Sequence, residues 1–310
     1  MLVKRELILL GLQAALGNPV TLDPAQDAIL VESLNVTPTN QRMVERSVIK
    51  PTLGKEASVF AGCLWQVTFT AELKGSGTAG VAPEIGKALQ ACGLSETVVA
   101  NTSATYQPAS DNLALATIEC YQDGNLIKLQ DVRGTVSFDF TAGAYGKASF
   151  TLTGHQGGDL TAAALPNASY DSTVPVPLIG LSTLSVGGFD AEINQLTLDV
   201  ANEVVTPSSI RSANGYGEVR IASRDPNGSI DPEDTVVTTK NWVKEWQDGT
   251  TLSITTGTVG GVDGNKFALT LPKCTWRDAQ PGDRDGVRTK AMTFGAAETS
   301  GDDQFTLVFT

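Results

Sequence analysis

Residues able to do chemistry are few in this chain, and their spacing argues against most chemistries. The 310 residues include one histidine, His155, so a Ser-His-Asp or Cys-His nucleophile would have to use it. No G-x-S-x-G elbow occurs, and one histidine cannot build a histidine-rich metal site. The cysteines, Cys63, Cys92, Cys120 and Cys274, lack metal-ligand spacing and form no C-x-x-C pair. The stretch from Asp225 to Asp234 is dense in carboxylates that calcium favours. Its glycine, Gly228, is fourth from Asp225 rather than sixth as in an EF-hand loop. Asp283 and Asp285, between Gly282 and Gly286, mark a second acidic turn, and both stretches read as solvated loops. Any two of the 34 acids could converge as a glycosidase pair, which sequence alone leaves open. The loop Gly75-Ser-Gly77-Thr-Ala-Gly80 lacks the Lys-Ser/Thr of a phosphate-binding loop and reads as a flexible turn. Trp242 and Trp246, four apart on an expected helix, could stack on a sugar or base; the stronger reading is a core-facing stripe. No catalytic, cofactor-binding or metal-binding residue is therefore assigned.

The elements that would position these residues are mainly strands. Cys63, Trp65, Val67, Phe69 and Ala71 alternate with Leu64, Gln66, Thr68 and Thr70, the period of a strand with one face in the core. Strands are also expected over 28–36, 42–49, 114–121, 125–129, 132–140, 145–153, 181–186, 191–200, 252–258 and 305–310. Residues 51–58 read as a loop, and 155–180, with its alanine run and Val174-Pro-Val-Pro177, as a connector. A helix is expected over 82–93, opening at Pro83 and stopping at Gly93, with another over 238–249. Residues 2–16 read as a short helix or docking arm; Glu6 interrupts any resemblance to a signal peptide.

Asp123-Gly-Asn-Leu-Ile-Lys-Leu129 is echoed by Asp263-Gly-Asn-Lys-Phe-Ala-Leu269. Each copy is a hairpin signal, and each follows a strand and a helix that ends at glycine. The order strand, loop, helix, hairpin thus occurs twice, as in a duplicated module. Residues 95–109 lack a counterpart and read as an insertion, an extra strand or exposed loop. The expected division is 1–155, with an N-terminal arm, then a linker over 156–180, then 181–310.

The hydrophobic fraction of 41% suits a globular protein, and no run reaches the length of a membrane span. Net charge is −12, with 11 Lys and Arg against 14 Asp and Glu in residues 1–155, and 11 against 20 thereafter. So acidic a chain is ill suited to gripping nucleic acid, because that needs a basic stripe. The cysteines read as buried reduced thiols of a protein assembled in the cytosol.

The chain resembles the major tail tube proteins of long-tailed, siphovirus-like bacteriophages. The resemblance rests on the Gly-Asn-Pro segment at 17–19 with Asp27-Ala-Ile-Leu-Val31, then Trp65-Gln-Val-Thr-Phe-Thr-Ala-Glu-Leu-Lys-Gly75-Ser-Gly-Thr-Ala-Gly80, Ala82-Pro-Glu84 and Leu89-Gln-Ala-Cys-Gly93. It covers residues 1–155 directly and the second half through the internal echo. It implies a mainly β fold of two similar sandwich or barrel-like modules, each with a short flanking helix. It also implies a structural virion protein rather than an enzyme. Modules would join edge to edge, six to a ring, so that three copies of this chain make a trimeric pseudo-hexamer. Stacked rings would form a tube that conducts DNA without binding it specifically. Tape measure, terminator and distal tail proteins are the implied partners; no membrane or cofactor is implied. The place of action would be the virion tail, assembled in the host cytoplasm. The loop 49–58 and the N-terminal arm are candidates for contacts between rings, so removing residues 1–16 is expected to weaken stacking and spare rings. The competing readings are a two-domain adhesin-like binding module, a carboxylate-based hydrolase, and a distal tail or decoration protein.

Overall fold

The computed structural model describes residues 2, 4–181 and 184–310, and their regular structure is almost entirely antiparallel strand. The first half supplies β1 (Glu6–Gln13), β2 (Ala28–Ile29), β3 (Val31–Thr39), β4 (Met43–Val44), β5 (Val59–Phe60) and β6 (Leu64–Glu72). After helix α1 (Gly86–Ala91) come β7 (Leu94–Val99), β8 (Ser103–Pro108), β9 (Leu115–Gln122), β10 (Asn125–Thr141), β11 (Lys147–Gln156) and β12 (Thr161–Ala162). The second half supplies β13 (Ser185–Val186), β14 (Gln195–Asp199), β15 (Asn202–Val205), β16 (Arg220–Arg224) and β17 (Asn227–Ile230). Helix α2 (Trp242–Gln247) is followed by β18 (Leu252–Thr255), β19 (Phe267–Arg284), β20 (Val287–Ala296) and β21 (Thr306–Phe309).

Both helices are shorter than the sequence suggests and stop before the expected glycines, Gly93 and Gly249, whose φ angles of 77° and 63° suit a residue without Cβ. Of the expected strand over 181–186, Ser185–Val186 form β13, while residues 182 and 183 lie outside the described residues. The expected strand over 42–49 shrinks to β4. Residues 95–109, the apparent insertion, form the β7–β8 hairpin.

The expected helix over 2–16 is corrected: Glu6–Gln13 is a strand. It pairs along its whole length with β9, from Glu6↔Gln122 to Gln13↔Leu115. Ile8 and Leu10 enter the main core, and Leu7 and Leu9 a smaller cluster with Leu22 and Ala28. A strand covered on both faces reads as a continuous apolar run, so its period does not separate it from a helix. Residues 6–13 are therefore structural core and no arm, and removing residues 1–16 is expected to unfold the chain rather than weaken stacking.

The largest layer is an eight-stranded sheet in the order β3-β6-β11-β10-β14-β17-β20-β19. Four strands come from each half, and β10 joins β14 from Ser137↔Asp199 to Thr141↔Gln195. Two long strands, β10 and β19, leave this layer through bulges between Gln130 and Arg133 and between Trp276 and Asp278. Such bulges bend a strand and raise its twist. Beyond the bulges β10 pairs with β9, which carries β1 and β2, and β19 pairs with β18 and β21. β21 also pairs with β8, so the insertion hairpin and the C-terminal strand lie side by side.

The core is continuous between the eight-stranded layer and these outer strands. Phe69 stacks on Phe150, Phe138 meets Phe305 edge-on, and Phe140 meets Phe267, the last two pairs crossing between halves. The body is barrel-like, yet among the described residues the eight-stranded layer is left open at both of its ends. β3 pairs only with β6, and β19 beyond Cys274 pairs only with β20.

Candidate assembly surfaces

The eight-stranded layer turns one face to the core and the other outward, and the strand period dictates which residues face out. On β10 the buried Val136, Phe138 and Phe140 alternate with the half-exposed Thr135, Ser137, Asp139 and Thr141. The same alternation puts Gln66, Thr68, Thr70 and Glu72 of β6 outward, with Ser149 and Thr151 of β11 and Thr197 and Asp199 of β14. Ser229 and Thr293 continue the face across β17 and β20. Hydroxyls face one another from strand to strand. Thr70 meets Ser149 at 3.1 Å, and Thr197 meets Ser229 at 2.8 Å. The face is concave at its centre, where a depression of about 540 Å³ is lined by Ser137, Asp139, Thr197, Asp199, Ser229 and Arg277, among others.

Charges on this face are sparse and largely paired. Lys147 Nζ reaches Glu32 Oε2 at 2.8 Å, and Tyr145 donates to Glu32 Oε1 at 2.6 Å. Burial pushes Glu32 up, but the Lys147 and Tyr145 hydrogen bonds outweigh it and hold the carboxyl below its ordinary range. Asp139 accepts from Thr141 and from Gln195. The result is a hydroxylated surface with a small excess of acids over cations. It offers hydrogen bonds and no array of cations for a phosphate chain.

The open edges flank this face. β3 carries Pro38, and β19 carries Pro281 in the section beyond Cys274. Proline in a sheet is confined to edges and bulges, which fits both positions. Strand direction alternates across the layer, so β3 and β19 run antiparallel to one another.

Two arms rise from the ends of this layer. Residues 40–63 leave β3, form the β4–β5 ladder and return to β6. Met43, Val44, Val48, Ile49, Leu53, Val59 and Phe60 on this arm are all exposed. Residues 200–226 leave β14, form the β15–β16 ladder and return to β17. This second arm lies on the first half: Arg133 bonds Glu218 and the Val219 carbonyl, and Tyr216 donates to the Asn40 carbonyl at 2.5 Å. The Arg42 guanidinium lies 3.9 Å from the centre of the Tyr216 ring.

The chemistry-bearing residues singled out in the sequence fall in structural roles. His155 lies in β11, not in the connector, and is buried. Its Nε2 meets the Gly217 carbonyl at 2.9 Å, and its Nδ1 meets the Asn214 amide. The acidic stretch 225–234 is ion-paired rather than merely solvated. Arg277 holds Asp225, and Arg284 bridges Asp231 and Glu233. Asp285 and Gly286, both with positive φ, make the tight turn between β19 and β20. Trp242 is core, edge-on to Phe189 and Trp276. Trp246 departs from the expected stripe: it is 38% exposed, and its indole N–H reaches the Arg277 carbonyl at the open edge of β19.

The two Asp-Gly-Asn echoes differ in use. Asp123-Gly124 is a two-residue turn with both φ positive, closing the β9–β10 hairpin. Gly264-Asn265 instead clasps the glycine-rich loop of the first half. The Gly264 carbonyl accepts from Gly77 N at 3.0 Å, and Asn265 Oδ1 from Gly75 N at 3.1 Å. The glycines there permit backbone approach: a Cβ on Gly264 would stand 2.4 Å from Thr78 N. The arms, the open edges and the hydroxyl face do not stand out together in the sequence. The alternation of Thr and Ser opposite apolar residues in 64–71 and 132–140 was the one available signal.

The chain matches the family described as phage tail tube protein over residues 10–304. A search among curated proteins finds no match.

Proposed function

This chain belongs to the phage tail tube protein family, and we propose that it forms the tube by closing rings through the open edges β3 and β19 and stacking them. As a member of that family it is a structural component of the virion tail, assembled in the host cytoplasm. The observation that carries the ring reading is the junction of β10 with β14. There the last strand of one four-stranded unit meets the first strand of the next, antiparallel. A second copy can repeat it, with β3 added beside β19 in the same sense. Open edges invite such pairing, and a head-to-tail contact closes when its rotation divides the circle.

On this reading residues 1–155 and 181–310 act as two modules joined by 156–180, and three chains supply six modules. The eight-stranded layers become one barrel whose concave hydroxyl face is the lumen. DNA passes a wall that offers few cations, and the acid excess repels its phosphates. The fully exposed Ile49 and Leu53 of the first arm, with Ile210 of the second, face the next ring. Tape measure, terminator and distal tail proteins complete the partners, and no catalytic step is assigned.

Electron microscopy of the purified protein tests the reading. Rings or tubes that show three chains and six lobes end-on are expected. A protein that stays monomeric at all salt concentrations, even with tail-tip initiator proteins present, contradicts it.

A further inference from the structure

The arms that leave β3 and β14 are the same device built twice. Each begins at a residue with positive φ, Asn40 at 51° and Ala201 at 49°. Three residues on, Met43 pairs with Phe60 and Val44 with Val59; in the other arm Val204 pairs with Ile221 and Val205 with Arg220. Both ladders skip a residue at the same point. Arg42 exchanges backbone bonds with Ala61 and Gly62, as Glu203 passes over Ala222 to pair with Ser223. The spacing from Asn40 to Ala201 also relates Ile49-Lys50 to Ile210-Arg211 and Gly54 to Gly215.

Their settings differ. Ile221 covers the glycine that ends α1, its Cδ1 2.9 Å from where a Cβ on Gly93 would stand. Asn202 donates to the Cys92 carbonyl at 2.6 Å and the Gly134 carbonyl at 3.0 Å. Residues 91–94 are consequently all buried. The corresponding end of α2, residues 247–250, is exposed throughout, and nothing lies within 4 Å of a Cβ on Gly249. The first arm holds the unmatched half of the contact. Phe60, in the place of Ile221, is 61% exposed, and Met43 beside it is 55% exposed.

We propose that Phe60 of a second copy of this chain packs over Gly249 at the end of α2, with Met43 beside it, as Ile221 packs over Gly93 within the chain. The proposal rests on the ring reading above: β3 added beside β19 carries its arm to α2 just as β14 beside β10 carries its arm to α1. Gln41, in the place of Asn202, then supplies an amide to the exposed Asp248 carbonyl. Charge agrees with this partner. Within the chain Tyr216 sits on Arg42; the same spacing substitutes Lys55 for Tyr216 and Glu203 for Arg42. A cation on the incoming arm therefore meets a carboxylate on its neighbour. Ile210 remains fully exposed although its own arm is docked, so Ile49 stays free for contacts between rings.

Cross-linking tests the contact. The full chain carrying Phe60→Cys, Thr250→Cys and Cys63→Ser is assembled and treated with a short bis-maleimide. A denaturing-gel ladder of joined chains, absent when Thr250→Cys is omitted, is expected. Phe60→Ser is expected to raise the concentration needed for assembly at least tenfold while leaving the melting temperature of the isolated chain unchanged. Normal tubes that yield no cross-link and tolerate Phe60→Ser overturn the contact and leave the ring reading standing. Failure of the unsubstituted protein to form rings overturns both.

Discussion

The two halves of the chain build the same four-stranded unit and support it differently. The first half backs its unit with an eight-residue β1, a helix end that is fully covered, and the arm of the second half lying across it. The second half has a two-residue β13, an exposed helix end and, among the described residues, no arm upon it. The helix end is thus covered in one half and exposed in the other. On the proposed ring reading, the exposed helix end and open edge of the second half are where a neighbouring copy docks.

The strongest way to break the comparison is at β1. Ile8 and Leu10 are completely buried in a strand without a counterpart of equal length, so Ile8→Ala is expected to cost about 2–5 kcal/mol in urea unfolding. Next is the echoed turn. Gly264→Ala adds a backbone clash with Thr78 to the strain of a positive φ, for about 3 kcal/mol or more. Gly124→Ala, whose Cβ would meet nothing within 4 Å, is expected to cost about 1 kcal/mol from φ alone. Equal losses would mean that the Asp-Gly-Asn copies do the same work.

Asn202 and Gln41 sharpen the contrast further. Asn202→Ala strands two carbonyls and is expected to cost about 2 kcal/mol in the isolated chain. Gln41→Ala, at an exposed position, is expected to stay within about 0.5 kcal/mol there and to act only on assembly.

The smallest effect is acid loosening of the docked arm. Burial raises the Glu218 carboxyl, but hydrogen bonds from Arg133 and Arg220 outweigh it, so its folded pKa lies below the ordinary value of about 4.3. A depressed folded pKa gives stability that is present above the unfolded pKa and lost as pH falls through the folded one. Hydrogen-exchange protection of residues 206–219 is therefore expected to drop below about pH 4, and Arg133→Ala, which leaves Arg220 alone on Glu218, to weaken that dependence. Residues 45–58, whose acids are more exposed, provide the internal control.

Much of this architecture is legible in the residues. The alternation over 64–71 and 132–140 gives strands and shows which side faces the core, and Gly93 and Gly249 mark the ends of both helices. The echo at 123 and 263 marks the turns that precede β10 and β19, the corresponding long strands of the two halves. The rest is hidden for physical reasons. Leu7–Leu10 is apolar throughout because both faces of β1 are covered, so no period reveals it. The correspondence of the arms is carried by backbone turns and loop length more than by residue types, and scattered identities such as Ile49 with Ile210 and Gly54 with Gly215 echo it. His155 reads as a linker residue because Gly157-Gly158 lies just two residues on, yet β11 runs through it to Gln156.

The most direct test of the central claim is a cryo-electron microscopy map of assembled tubes at a resolution that traces strands. Three chains per ring and a lumen wall of twenty-four strands are expected, with β19 of each chain antiparallel to β3 of the next. Six chains per ring, or rings in which β3 and β19 remain unpaired, would contradict that claim.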